Sequence, residues 1–198
     1  MQKRFPVLLV MAGPNGSGKS TITSKMDVIG DYVNADDIKR HLNCDDLTAA
    51  KIAESTREFL LKEGKDFTFE TVLSTPRNLN LMERAKNNGY TVVCIYVLTC
   101  NPQINVERVL SRARNGGHDV PSEKVVARYK RAMALIPQLF KVCDELYVYD
   151  NSIDRSKGSA EPILRYKYGQ LETLPNDVWS MDMLTKLMNG TFFQDKSP

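Results

Sequence analysis

No apolar run in the chain approaches the roughly 18 residues that a membrane-spanning helix needs. Behind Met1-Gln2-Lys3-Arg4 only about seven apolar residues precede the first glycine-rich stretch, too few for a secretory leader. The four cysteines, Cys44, Cys94, Cys100 and Cys143, form no C-x-x-C pair. Cys94 and Cys143 lie in or beside apolar runs, where free buried thiols are common, so a reduced, cytosolic setting is expected. Basic clustering is also lacking: the net charge is +3, spread along the chain, which gives no support for a nucleic-acid backbone as main partner. There is no internal repeat and no low-complexity segment. At 198 residues the chain is long enough for one well-buried α/β domain and short for two.

What is there is organised around Gly13-Pro14-Asn15-Gly16-Ser17-Gly18-Lys19-Ser20, which has the spacing G-x-x-x-x-G-K-[ST] of a phosphate-binding P-loop. A short apolar run, residues 5–12, precedes it as a buried strand, and residues 21–26 continue it as a helix. The glycines let backbone N–H groups turn inward around a polyphosphate, and a helix N-terminus adds positive charge there. In that setting Lys19 reaches the β- and γ-phosphates, Ser20 puts its hydroxyl on Mg²⁺ and Thr21 adds a hydroxyl to the α-phosphate. The motif identifies nucleotide binding and leaves the reaction open. An ABC-type ATPase should carry L-S-G-G-Q and a GTPase N-K-x-D, and neither is present. ATP and Mg²⁺ are the expected cofactors, and a cellular nucleotide again points to the cytoplasm.

Apolar runs alternate with helical patterns, which predicts an α/β fold of three layers, a P-loop NTPase with a mostly parallel five-stranded sheet and a small lid. The strands are expected at residues 5–12, 31–36, 67–73, 91–98 and 145–150. Helices are expected over 46–63, capped by Asp46 or Thr48, and over 75–88, opened by Thr75-Pro76. Asn101-Pro102 opens another through Arg114, and a last long one runs over 121–142, bent or interrupted at Pro137. Beyond about residue 152 a hairpin around Gly169 and a closing helix over 178–188 form a C-terminal extension to about residue 190 of a single domain, 1–198.

Ligands of open α/β sheets sit at the carboxyl ends of strands. That rule selects Asp36, Asp37, Glu70, Thr71, Thr99 and Asp150. Asp36 is the best base for an acceptor hydroxyl, with a helix N-cap as the alternative. Glu70 stands in an apolar strand, where a carboxylate needs a cation, metal or hydroxyl; a substrate or metal-shell role competes with a solvent-facing position. Asp150 ends an hhhhD pattern too far along the chain to be read as a metal ligand, and Asn151-Ser152 is better suited to border the nucleotide base. Arg108, Arg112 and Arg114, followed by a glycine break and His118, suit a lid that neutralises charge on a transferring phosphoryl group. An ordinary solvated basic helix is the competing view. Arg128 and Arg131 are expected at the surface, although Arg128 can turn inward.

Taken together, residues 13–21, Val33-Asn34-Ala35-Asp36, Phe69-Glu70-Thr71, Arg112-Ala113-Arg114 and the Gly116-Gly117-His118-Asp119-Val120-Pro121 loop resemble the zeta-toxin family of P-loop kinases over roughly residues 6–152. The resemblance implies ATP- and Mg²⁺-dependent transfer to a sugar hydroxyl, with UDP-N-acetylglucosamine as the toxin members' substrate. By position it makes Lys19 and Ser20 the phosphate and Mg²⁺ residues, Asp36 the base and Arg112, beside Arg114, a phosphate-neutralising lid arginine. Glu70, Thr71, His118 and Arg128 fall on the acceptor side. An antitoxin protein is an implied partner. Two departures stand out: His118 occupies the place of a second lid arginine, and the long helical tail of larger members is missing. A nucleoside or polynucleotide kinase, and an ATP-dependent switch acting through a protein partner, are the rival readings.

Overall fold

The computed structural model describes residues 4–24, 26–115, 120–153 and 160–193. Seven strands form one sheet in the order β2-β3-β1-β4-β5-β6-β7. The five expected from the sequence, β1 (Val7–Ala12), β2 (Asp31–Val33), β3 (Phe67–Thr71), β4 (Thr91–Leu98) and β5 (Glu145–Asp150), are parallel. Two more, β6 (Glu161–Lys167) and β7 (Gln170–Thr173), extend it antiparallel beyond β5, so the expected hairpin is part of the sheet and the five-strand count falls short by two. Tyr168 and Gly169 form its two-residue turn with φ of 45° and 88°, the left-handed pair that matches strand twist.

Eight helices are described: α1 (Lys19–Thr23), α2 (Ala35–Leu42), α3 (Asp46–Lys62), α4 (Arg77–Asn87), α5 (Pro102–Arg114), α6 (Ser122–Ala134), α7 (Ile136–Val142) and α8 (Met181–Asn189). Several caps differ from expectation. Asp45, not Asp46 or Thr48, caps α3 by accepting from the Thr48 N–H at 2.8 Å. Thr75 provides no cap for α4, which starts after Pro76. Asn101 behaves as expected, accepting from the Gln103 N–H ahead of the N1 proline. The long helix before β5 breaks at Leu135, two residues ahead of Pro137, because a proline is tolerated in the first turn of α7 but not inside a continuous helix. Helix α1 ends at Thr23, three residues short of the expected end.

The chain leaves β1 for β2 and β3 on one side, then crosses to β4 and β5 on the other. The crevice beyond the carboxyl end of β1 is therefore the topological switch point, where open sheets bind ligands. The layers on the two faces are unequal. Leu8, Val10, Phe67, Phe69, Cys94 and Leu98 pack with α3, α4, α7 and α8 in the main core. Leu9, Met11, Ile95 and Val97 form a smaller cluster on the other face, with Ile22 of α1 and Ile29 against it. Val106, Val109, Val120 and Val125 make a third cluster between α5 and the start of α6.

Candidate active site

The glycine-rich loop lies at the switch point, and its shape is set from behind by side chains. Asn105 of α5 is fully buried and donates from Nδ2 to the Asn15 carbonyl at 2.6 Å, while its Oδ1 accepts from the Thr99 hydroxyl. Asn151 at the end of β5 donates from Nδ2 to the Ser17 carbonyl at 2.7 Å. In a trans peptide the next N–H points opposite to the carbonyl, so fixing these two carbonyls turns the Gly16 and Gly18 N–H groups to the open side. Glycine is required at two places. A Cβ on Gly13 would stand 2.0 Å from the Val97 carbonyl oxygen, and one on Gly16 2.5 Å from that of Asn105. The Ser17 hydroxyl is buried and meets no hydrogen-bond partner among the described residues.

Lys19 bends back over the loop, donating to the carbonyls of Gly13 at 2.7 Å and Pro14 at 3.0 Å. Burial of its ammonium lowers the pKa to about 8, with Arg112 acting in the same direction and Glu70 and Asp36 opposing. Lys19, Glu70, Arg112 and Asp36 therefore share one electrostatic neighbourhood, although they come from α1, β3, α5 and α2. Ser20 donates to Glu70 Oε2 at 3.1 Å, and Tyr32 donates to Glu70 Oε1 at 2.7 Å.

Asp36 lies in the first turn of α2, an element missing from the sequence-based expectation, which ran β2 on to residue 36. The N-cap is Asn34, whose Oδ1 accepts from the Asp36 N–H at 2.8 Å; the Asp36 side chain is exposed and does not cap. Asp37 beside it is paired with Arg40. Arg112 is exposed and, with Arg108, Gly16, Gly18 and Thr21, lines a cavity of about 400 Å³ beside the loop. Arg108 also donates to the Asn151 carbonyl at 2.8 Å. Arg128 does turn inward, reaching Asn15 Oδ1 at 3.4 Å.

Other candidates are placed differently. Arg114 is exposed at the end of α5 and does not line that cavity. The Thr71 hydroxyl is occupied by the Leu73 N–H and Asn78, and its carbonyl by the Gly13 N–H, so it braces the turn after β3. Asn151 spends its side chain on the loop, which differs from the expected position beside a base. Asp150 accepts from the N–H and hydroxyl of Ser152, closing a local turn. His118 lies outside the described residues. The sequence reading missed Asn105, Tyr32 and Asn34. Asn105 had a signal: it is a lone amide beside Val106 and Val109 on the apolar stripe of α5, and a buried polar group is the informative exception in such a stripe.

Residues 33–157 match the model of the Zeta toxin family. An uncharacterized protein of Haemophilus influenzae is 32% identical over 123 residues, which is 59% of this chain and 88% of that protein. Among solved structures, that of the PezAT chromosomal toxin-antitoxin system of Streptococcus pneumoniae superposes with a TM-score of 0.61 at 17% identity, covering 96% of this chain and 80% of the other. The AvrRxo1-ORF1:-ORF2 complex with ATP gives 0.69 at 14% identity, and there 92% of this chain spans 63% of the longer one. At those identities the likeness is one of fold. No described helix is long and apolar enough to cross a membrane.

Proposed function

The chain belongs to the Zeta toxin family of P-loop kinases, and on that premise we propose that it transfers the γ-phosphate of ATP to a hydroxyl of a sugar or nucleotide sugar resembling UDP-N-acetylglucosamine. One observation carries the reading. At the switch-point crevice the Lys19 ammonium, folded over the phosphate loop at 2.7 Å from the Gly13 carbonyl, feels the Glu70 and Asp36 carboxylates and the Arg112 guanidinium, which come from three other elements, and Glu70 itself holds the Ser20 hydroxyl at 3.1 Å. A glycine-rich turn with a structural role alone has no use for that convergence.

The residues fit a bound Mg²⁺-nucleotide. The Asn15 and Ser17 carbonyls are held from behind so that the loop N–H groups face the open side, the buried Ser17 hydroxyl has a free valence at the loop, and Ser20 with Glu70 offers the oxygen donors that Mg²⁺ prefers. Mg²⁺, when bound, supplies positive charge that offsets the charge on the β- and γ-phosphates. Lys19 exchanges its two loop carbonyls for phosphate oxygens. Asp36, exposed at the mouth of the crevice, accepts the proton of the acceptor hydroxyl as that oxygen attacks. Glu70 orients Ser20 and borders the acceptor. Arg112, at the rim of the loop cavity, neutralises negative charge on the transferring group. The compartment we assign is the cytoplasm, where ATP is supplied, and an antitoxin-type protein is the partner suggested by the PezAT likeness.

The test is γ-phosphate transfer from ATP with Mg²⁺ to UDP-N-acetylglucosamine, other nucleotide sugars and nucleosides. Asp36→Asn should lower transfer by about 100-fold or more while ATP still binds. Undiminished turnover in that variant would remove Asp36 as base. Acceptor-independent hydrolysis alone would remove the sugar, nucleotide-sugar and nucleoside acceptors tested and leave an untested acceptor or the ATP-dependent switch.

A further inference from the structure

Four hydrogen bonds join the phosphate loop to the helix that carries Asp36. Ser20 Oγ donates to Glu70 Oε2 at 3.1 Å, Tyr32 OH donates to Glu70 Oε1 at 2.7 Å, Asn34 Nδ2 donates to Tyr32 OH at 3.0 Å, and Asn34 Oδ1 accepts from the Asp36 N–H at 2.8 Å. Ser20 donates because a carboxylate accepts, and the directions of the two middle bonds follow from the last one. A backbone N–H can only donate, so Asn34 must turn its Oδ1 to Asp36 and its Nδ2 to Tyr32. The Tyr32 oxygen therefore accepts from Asn34, and its single proton is left for the Glu70 carboxylate. Burial, reinforced by Glu70 against the opposing bond from Asn34, pushes the phenol pKa upward, which keeps that proton in place.

Packing gives little reason for a tyrosine here. Residue 32 is in a three-residue edge strand, is 36% exposed and belongs to none of the three apolar clusters. Its hydroxyl is the part in use. By holding Oε1, it fixes the rotation of the Glu70 carboxylate and presents Oε2 to Ser20. Through Asn34 the same hydroxyl is tied to the N-terminus of α2, whose other anchors, Ile38 on the main core and Lys39 on Asp46, lie further along the helix.

We propose that Tyr32 and Asn34 are positioning residues that couple the Ser20–Glu70 pair at the phosphate loop to the placement of Asp36, so that Mg²⁺-nucleotide binding orders the acceptor side. The inference rests on the proposed function for the role of Asp36 but is tested without an acceptor. Two substitutions separate the links. Tyr32→Phe removes the hydroxyl and keeps the ring. Asn34→Ser keeps a good N-cap for α2, adds no charge and removes the amide that donates to Tyr32.

The experiment measures ATP affinity by calorimetry with Mg²⁺ and with EDTA, and amide hydrogen exchange over residues 35–42 with and without ATP and Mg²⁺. Tyr32→Phe should cut the Mg²⁺-dependent gain in affinity about 3- to 10-fold, the net scale of one ordinary hydrogen bond lost from the chain that orients Glu70. It should also abolish the slowing of exchange in α2 that ATP and Mg²⁺ produce in the unsubstituted chain. Asn34→Ser should keep the affinity gain and lose the slowing. Adding Tyr32→Phe to Glu70→Gln should cause no further loss, because Tyr32 acts through Glu70. Full Mg²⁺-dependent gain with full α2 slowing in Tyr32→Phe would overturn the coupling while leaving the proposed function standing. Failure of the unsubstituted chain to bind ATP would bring down the proposed function, and the coupling with it.

Discussion

Replacing Asn105 with alanine removes a side chain that touches no part of the open crevice, yet it should weaken nucleotide binding. The buried amide makes two bonds, to the Asn15 carbonyl at 2.6 Å and from the Thr99 hydroxyl. Thr99 keeps its contact with the Asn101 carbonyl at 3.2 Å, so it is not orphaned. The Asn15 carbonyl loses the amide. One buried unsatisfied acceptor costs about 1–3 kcal/mol, and the second lost bond about 1 kcal/mol, giving roughly 2–4 kcal/mol in all. For a chain of this size each kcal/mol lowers the melting temperature by about 2–4 °C, so a fall of about 4–16 °C is expected. The larger effect concerns the loop. Without Asn105 the Asn15–Gly16 peptide can rotate, and its N–H no longer faces the open side in every molecule. ATP affinity should fall about 10-fold or more. Thermal unfolding and calorimetric titration with ATP, read on the same protein, check both numbers. If ATP affinity stays within about 2-fold while the melting temperature drops, Asn105 supports the fold and not the loop. If neither changes, the assignment of the buried amide to the Asn15 carbonyl is refuted.

Two further expectations follow from the same geometry. Arg112→Ala should reduce phosphate transfer by about 100-fold or more, and Arg114→Ala, away from the loop cavity, by no more than about 3-fold; equal losses in steady-state kinetics would refute the distinction. Lys19 gives a pH prediction. Its pKa falls from 10.5 unfolded to about 8 folded, so between those values the unfolded chain holds more protons. Lys19 therefore costs the nucleotide-free fold stability below about pH 8, and that cost is relieved as pH rises towards about 10.5. Relative to Lys19→Met, the wild-type melting temperature should rise across that window. A triphosphate returns the proton to Lys19, so ATP binding near pH 9 should take up protons, which calorimetry in buffers of different ionisation enthalpy detects. Absence of uptake there, with ATP bound, would show that the lysine does not meet the phosphates.

The phosphate loop was legible in the sequence because its chemistry is local: eight consecutive residues carry both the turn geometry and the ligand groups. Asp36 and Glu70 were legible by a different route, as carboxylates near strand ends in an alternating α/β pattern, and both lie near Lys19 in the folded chain. Helix α2 was not. Its apolar stripe is only three residues long, Ala35, Ile38 and Leu42, of which the last is exposed, and its cap is an asparagine that follows a strand without a break. Asn105 and Tyr32 escaped for a shared reason. Their partners lie 90 and 38 residues away, and a side chain committed to a distant polar group looks in sequence like any other polar or aromatic residue.

The placement of α5 gives these separate contacts a common consequence. None of its described residues enters the main core; its valines pack with Val120 and Val125 in a cluster of their own. What ties α5 to the body near the nucleotide is polar or close-packed: Asn105 on the Asn15 carbonyl, Arg108 on the Asn151 carbonyl, and Gly16 against the Asn105 backbone. A shift of α5 leaves the main core closed, and its cost falls on these hydrogen bonds and on the valine contacts with α6. The helix cannot shift without moving residues 15 and 16, because the contacts are made to the loop itself. Arg112 rides on the same helix as Asn105, so the position of the charge-neutralising group and the shape of the phosphate loop are set together.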